Sequence, residues 1–582
     1  MNIERITQTK DIKNFSLEEM ETLALEIREG ILNRVSKIGG HLGPNLGIVE
    51  ATIALHYVFD LPEDKIVFDV SHQSYAHKML SGRWKGYFDE SHFDEVSGYT
   101  NPEESDCDSF VVGHTSTSVS LACGLAKGRD LRGGSENIIA VIGDGSLSGG
   151  EALEGLDFAS ELGSNLIIVV NDNQMSIAEN HGGLYQNLTA LRESNGTCEC
   201  NFFKAMGLDY KYVAEGNNIG VLIDEFKKVK NSNYPVVIHI NTMKGQGFDF
   251  AMTHKEQMHW TMPFDLKQPE NSSLGDASEN YDDMTCEYFL EKMKKDKSVV
   301  ALAAAVPVCI GFTADKRALA GEQFVDVGIC EEHAVAMASG IAKNGGKPVF
   351  ATNSSFMQRA FDQISQDLCI NSNPATLLIN TASVYGMNDI THLGIFDIPL
   401  MSNIPNLVYL APTNCEEYFA MLDWSIEQDK YPVAVRIPCN GVIHTNVVVD
   451  KDYSNLNKYQ ITRAGEAIAI IALGDFYQIG EALADMISEK TGKVPTLINP
   501  RYITGLDDEL LNSLEKNHTK VITLEDGILD GGFGEKIARF FGASDVKVYN
   551  YGLKKEFLDR YDVAEVLKKN RITPELICED VL

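Results

Sequence analysis

Short apolar runs rich in β-branched residues, each closed by a polar turn, recur along the chain. The pattern is plainest at 138–142 (IIAVI), which predicts a buried strand. That run ends in Gly143-Asp144-Gly145-Ser146, a tight turn, and residues 149–162 (GGEALEGLDFASEL) then carry helical spacing. A second run at 166–170 (LIIVV) ends in Asn171-Asp172-Asn173. Strand, helix and strand make a βαβ unit with oxygen-bearing side chains at both carboxyl strand ends, where open parallel sheets bind ligands. Ahead of it, residues 16–60 read as helices that include a Ser16-x-x-Glu19 capping box, and 65–70 as a strand.

Further on, 236–240 predicts another buried strand, followed by Lys244-Gly245-Gln246-Gly247-Phe248. Residues 178–202 are polar and weakly periodic, which predicts an irregular, mobile segment. From 263 to 283 the composition turns to Asn, Ser, Asp and Gly, the signature of a linker. A second α/β half begins at Ser298 with a strand at 324–328, and the charged, Asn-rich stretch 450–458 marks a last boundary. Strands at 467–472 and 521–526, with a Gly-rich turn and helix over 527–541, complete a smaller third part. The fold class is therefore α/β, with three domains at 1–283, 284–455 and 456–582, each a mainly parallel sheet flanked by helices.

At 582 residues the chain is too long for a single core, and 44% apolar with 23% charged residues is ordinary for a globular protein. A net charge of −33 argues against nucleic acid as a partner and requires that an anionic substrate find a local basic pocket. The 11 cysteines form no C-x-x-C pair, and Cys198 and Cys200 alone lie close. That is a reduced, intracellular pattern without a zinc site. The charged first residues and the absence of a run of about 18 apolar residues predict no signal peptide, no membrane span and a cytoplasmic location.

Asp144 and Asn173, at two adjoining strand ends, are the hard oxygen donors that Mg²⁺ prefers and shares with substrate phosphates. A structural turn would use the same glycines. A dinucleotide fingerprint is a poorer match, because Gly143, Gly145 and Gly149 leave three residues in the second gap. His41 between glycines, His72 after the strand 65–70, and His114 beside Thr115 and Ser116 place three histidines in three loops, more than core packing needs. Thr115 and Ser116 also precede a helix N-terminus, a place that favours anions. Glu331 heads a helix at a strand end and reads by itself as a simple helix-start acid.

The pairing of Gly143-Asp144-Gly145 with Asn171-Asp172-Asn173 resembles the thiamine-diphosphate motif. The blocks around His41, His72, His114, Glu331 and 353–363 (NSSFMQRAFDQ) are similar to the 1-deoxy-D-xylulose-5-phosphate synthase family of the transketolase superfamily. The resemblance runs from about residue 35 to the C-terminus. It implies decarboxylation of pyruvate and condensation with an aldehyde, D-glyceraldehyde 3-phosphate, in isoprenoid and thiamine biosynthesis. The cofactors would be thiamine diphosphate and Mg²⁺, and the protein a homodimer. It implies metal ligation by Asp144, Asn173 and the Met175 carbonyl, and cofactor contacts from His72, His114, Thr115, Ser116, Gly143, Gly145, Ser146, Phe356 and Glu331. Glu331 would meet the aminopyrimidine, and His41, His72, His392 and Arg359 would serve the substrates.

Departures from the family pattern fall on the acceptor side. Asn353 stands where an aromatic is usual, Asn380-Thr381-Ala382-Ser383 where D-R-A-G is usual, and Asn388-Asp389-Ile390-Thr391-His392 where D-G-P-T-H is usual. Arg436-Ile437-Pro438-Cys439 replaces R-Y-P-R, so two phosphate-gripping arginines become Thr381 and Cys439. Arg359, Arg436 and Lys244 or Lys255 are then the cations expected near the acceptor. The departures leave open a related synthase with another aldehyde. A non-catalytic relative and a dehydrogenase-like subunit fit less well, because Glu331, Asp144, Asn173 and the histidines all persist.

Overall fold

The computed structural model describes residues 1–271 and 279–582, so part of the expected linker, 272–278, lies outside the described residues. The chain forms two compact units, Met1–Ala277 with Gly328–Cys330, and Ser278–Val327 with Glu331–Leu582.

In the first unit five strands form one parallel sheet, ordered Lys65–Phe68, Ile138–Gly143, Leu166–Asp172, Pro235–Asn241, Asp209–Val213. Alternate side chains enter opposite cores. Ile139, Val141, Ile167 and Val169 pack with helices Leu17–Ile38, Val49–Val58 and Ile219–Val229. Ile138, Ala140, Ile142, Ile168 and Val170 pack with helices Ser118–Arg132 and Gly150–Ala159. With both faces covered the strands have no polar alternation, and each buried Ile or Val contributes about 1.5–3 kcal/mol. The expected capping box is present: Glu19 N donates to Ser16 Oγ at 3.2 Å, and Ser16 N to Glu19 Oε2 at 2.8 Å.

Register sets the functional edge. Phe68 pairs with Val141, Gly143 with Asn171 and Asp172 with Asn241, so the four segments that follow these strands leave the sheet together. A two-residue antiparallel ribbon, Gly40–His41 against Trp260–Thr261, is separate from this sheet. The segment expected to be irregular over 178–202 instead contains a helix, Gly183–Glu193. Leu184, Leu188 and Leu191 form a stripe on it at helical spacing, and Leu188 and Leu191 are fully buried in the second core.

The second unit holds two sheets. One has six parallel strands in the order Val408–Leu410, Val433–Arg436, Thr376–Asn380, Lys347–Asn353, Val299–Ala303, Phe324–Asp326. The other is ordered Gln460–Arg463, Thr496–Asn499, Ala467–Ala472, His518–Ile528, Lys547–Leu553, parallel except for its first, edge strand. Leu302, Phe350 and Leu377 of one share a core with Ala469 and Ile471 of the other and with Phe533 of its flanking helix Phe533–Phe541. The architecture is α/β with mainly parallel sheets, as expected, and among the described residues no helix is long and apolar enough to cross a membrane.

Candidate active site

In the first unit the strand Ile138–Gly143 delivers Asp144, which is 1% exposed. Its carboxylate accepts from Asn180 Nδ2 at 2.7 Å and from Asn173 N at 3.4 Å. Burial first, and the nearby Asp172 charge second, push its pKa far above the ordinary carboxylate range.

The neighbouring Asn171-Asp172-Asn173 divides its labour. Asn171 bonds Gln73 Oε1 at 3.0 Å through Nδ2 and accepts from Thr242 Oγ1 at 2.6 Å. Asp172 is fully buried and held by His239 Nε2 at 2.8 Å and Arg192 Nη1 at 2.5 Å. Asn173 Oδ1 is buried and has no hydrogen-bond partner among the described residues. A buried carboxylate with no ion pair among the described residues, and only the more distant Lys244 cation acting on it, beside an unpartnered amide oxygen fits a Mg²⁺-sized ion shared with a ligand's phosphate oxygens. Met175 follows on the turn after Asn173, and the next carbonyl, Ser176 O, accepts from Lys244 Nζ at 2.7 Å.

Two glycines shape this end. A Cβ on Gly143 would meet only Gln73 Nε2, at 4.0 Å, and that amide nitrogen is itself buried without a partner. A Cβ on Gly145 would fall 2.8 Å from Ser176 Oγ, so a side chain is excluded there. The helix N-terminus expected to be open to an anion is already occupied from within. Asp69 accepts from Ser116 N at 2.8 Å and Ser118 N at 3.0 Å. Ser116, at φ +73°, ties the loop to the Asp144 turn by donating from Oγ to Ser146 O at 2.8 Å. His114 and Thr115 are half-buried in that loop.

The antiparallel ribbon brings a histidine cluster together. Ring centroids of His41 and His72 lie 5.0 Å apart, and those of His41 and His72 lie 5.6 and 5.5 Å from His259. Lys244, 1% exposed, reaches His259 Nδ1 at 3.0 Å. Burial pushes Lys244 down to about 7, against the pull of Asp144. Burial, and then the Lys244 charge, hold His72 neutral with its pKa at about 3, and they depress His259 likewise. His72 Nδ1 has no partner among the described residues. Neutral imidazoles so held can accept or pass a proton. His259 and Gln73 are absent from the site predicted by sequence, and Lys244 figures there only as a cation for the acceptor. The signal that could have found them is their place after the strands ending at Phe68 and Asn241, or, for His259, immediately before the ribbon strand that pairs with His41.

In the second unit Glu331 begins the helix Glu331–Lys343, 3% exposed, with Oε2 unpartnered among the described residues. Burial raises its pKa to about 7, with Arg359 pulling the other way. Phe356 and His392 meet edge to face at 5.3 Å. His392 Nδ1 lies 3.0 Å from Asp389 Oδ1 and 2.8 Å from Thr391 Oγ1, an arrangement that fixes the ring. These groups stand at or beyond the carboxyl ends of the six-stranded sheet, where Asn353 pairs with Asn380 and Ile379 with Arg436.

The acceptor-side departures are also built in. Thr381, at φ +53°, donates its N–H to Asn380 Oδ1 at 2.6 Å. Cys439 N donates to Asp475 Oδ2 at 3.0 Å. Arg436, expected to be a free cation, is 3% exposed and paired with Asp526 at 2.5 Å and Asp397 at 3.1 Å. It fastens the two sheets' carboxyl ends to each other and is not open to a ligand.

Comparison with known proteins follows this layout. A family model described as 1-deoxy-D-xylulose-5-phosphate synthase matches residues 3–201, a transketolase pyrimidine binding domain model matches 280–441, and a transketolase C-terminal domain model matches 457–577. The 1-deoxy-D-xylulose-5-phosphate synthase of Lachnoclostridium phytofermentans is 36% identical over 618 aligned residues, covering 100% of this chain and 98% of its own. Those of Clostridium acetobutylicum and Caldanaerobacter subterraneus subsp. tengcongensis are each 35% identical, covering 98% and 100% of this chain and 98% of their own.

Proposed function

The chain belongs to the 1-deoxy-D-xylulose-5-phosphate synthase family, and from that premise we propose a division of the reaction between the residues of its two units. It is a transferase that uses thiamine diphosphate with a divalent metal, and it condenses pyruvate to give 1-deoxy-D-xylulose 5-phosphate for isoprenoid and thiamine biosynthesis. The acceptor in this reading is D-glyceraldehyde 3-phosphate, and the working form is a cytoplasmic homodimer.

When bound, thiamine diphosphate would supply a carbon nucleophile and an electron sink for decarboxylation. Asp144, Asn173 and the Met175 carbonyl would hold the metal, with Gly143 and Gln73 leaving room and a donor for the diphosphate. Burial raises the Glu331 pKa to about 7, so its buried carboxyl would serve as a proton donor to a ring nitrogen of the cofactor. Phe356 offers a ring face. His72 and His259, held neutral by burial, with His41 packed against both, would bind and protonate the acceptor's carbonyl oxygen, a kind of positioned transfer worth roughly 10²–10⁴ in rate. His392 and Arg359 would hold the acceptor's far end.

The observation that carries this reading is Asn173 Oδ1, buried and unpartnered among the described residues, beside the buried carboxyl of Asp144. Its test is to supply the protein with Mg²⁺, thiamine diphosphate, pyruvate and D-glyceraldehyde 3-phosphate and to identify the product by mass spectrometry. The expected product is 1-deoxy-D-xylulose 5-phosphate with stoichiometric CO₂. Pyruvate consumed without that ketose, or only when another aldehyde is present, would overturn the acceptor assignment.

A further inference from the structure

The second unit contains a cleft of about 790 Å³ that the reaction does not use. One wall comes from segments flanking the six-stranded sheet, with Asn406 and the consecutive Lys430 and Tyr431. The other comes from the helix Phe533–Phe541 of the five-stranded sheet, with Glu535, Lys536 and Arg539. Its size is that of a small-molecule site.

The charges in this cleft are unbalanced. Lys430, Lys536 and Arg539 form no ion pair among the described residues, in a chain of net charge −33. Lys536 and Arg539 stand three residues apart on one helix, where like charges face and repel each other. Lys536 is half-buried and donates to Ser402 O and Ile503 O, each at 3.3 Å, which leaves one ammonium proton unassigned. Burial pushes its pKa down to about 8, against the pull of the buried Glu525, and the Arg539 charge pushes it further down. The lining carboxylate, Glu535, accepts from Gly531 N at 2.9 Å and forms no ion pair among the described residues. Two adjacent cations without an ion pair of their own, one of them partly desolvated, are stabilised by an anion that bridges them.

We infer that this cleft binds a phosphate monoester with a nucleoside-sized body, its phosphate on Lys536 and Arg539 and its body against Tyr431 and Asn406. The phosphate would take the spare Lys536 proton and the Arg539 fork, and Lys430 would close the site from the opposite wall. A ligand bound there touches both sheets of the unit and stabilises their packing.

The test uses the holoenzyme with Mg²⁺ and thiamine diphosphate already saturating, so that the cofactor site is filled. Calorimetric titration with AMP should give a Kd below about 1 mM, and adenosine should bind at least tenfold more weakly, about the loss of one charged contact. Arg539→Gln, at an exposed position, and Lys536→Met should each weaken AMP about tenfold or more while leaving kcat and KM without AMP unchanged. Should Lys536→Met fail to fold, Arg539→Gln alone decides. Absence of AMP binding to the wild-type holoenzyme, equal affinity for AMP and adenosine, or AMP affinity unchanged in Arg539→Gln would overturn the assignment.

Discussion

Cys439 gives its main-chain N–H to Asp475 Oδ2 at 3.0 Å, which places a buried carboxyl beside the position where the family pattern has an arginine. Burial first, then the charge of Asp526, raises Asp475 to about 7. Arg436 lies within reach of that field but is shared with Asp397 and Asp526. A raised pKa means that the fold favours the neutral acid, which is lost as pH rises through about 7. The phosphate of the proposed acceptor, were it to lie beside Cys439, would meet a neutral group below that pH and a repelling carboxylate above it. The KM for D-glyceraldehyde 3-phosphate should rise between about pH 6 and pH 8, and Asp475→Asn should flatten that rise. Cys439→Arg should lower the KM by about tenfold or more, one charged hydrogen bond regained. A wild-type KM that is low and independent of pH would show that the phosphate is held elsewhere.

Metal binding should depend on both oxygen donors at the first sheet's edge. Asp144→Ala and Asn173→Ala should each abolish or severely weaken Mg²⁺-dependent binding of thiamine diphosphate in calorimetry, with the thermal midpoint of the cofactor-free protein kept or raised. The unliganded fold loses little in either variant, because Asn173 Oδ1 has no partner among the described residues, and the hydrogen bonds that Asp144 loses are offset by removal of a buried carboxyl whose burial raises its pKa. Wild-type cofactor affinity in Asp144→Ala would remove it from the metal site.

Glu331→Gln separates holding the cofactor from activating it. The amide keeps the shape and a donor but cannot exchange a proton with the ring. Cofactor affinity should stay within about tenfold while C2 proton exchange, followed by NMR, falls on the order of 10² or more. Exchange at the wild-type rate would reduce Glu331 to a helix-start acid.

Lys244 tunes the histidines. Its charge is the second cause, after burial, of the depressed His72 pKa, so Lys244→Met should move that pKa upward. The variant also loses the donor that fixes the His259 tautomer through Nδ1. Both effects are read by NMR titration of the imidazoles alongside kcat, which should drop by roughly 10²-fold. An unmoved His72 titration would mean that burial alone sets it.

Arg192→Met should leave Asp172 buried with one cationic partner fewer, a change that costs roughly 3–5 kcal/mol when a buried pair is broken. Denaturant midpoints measure it, and a loss below about 1 kcal/mol would show that His239 suffices.

What sequence discloses here follows the reach of each interaction. Asp144 and Asn173 are legible because they sit just past two apolar runs, and a parallel register aligns those runs end to end. The capping box at Ser16 and Glu19 is legible because it closes within four residues. Asp69 reaching the amides of Ser116 and Ser118 leaves no local trace, so the helix N-terminus looked open. Arg436 read as a free cation because its partners, Asp397 and Asp526, lie far along the chain in either direction. The helix Gly183–Glu193 was obscured by asparagines and glycines around a stripe of three leucines.

The ribbon of Gly40–His41 with Trp260–Thr261 also sets a clock. Drawing together chain ends about 220 residues apart costs roughly 5 kcal/mol in loop entropy, far more than two short strands return by pairing. The ribbon can therefore close only after the parallel sheet has gathered the intervening chain. During synthesis at about 5–20 residues per second, His41 leaves the ribosome some 10–40 s before His259. The strand Pro235–Asn241 completes the sheet only about 1–4 s before His259 is made, so the histidine cluster is among the last features of the first unit to assemble.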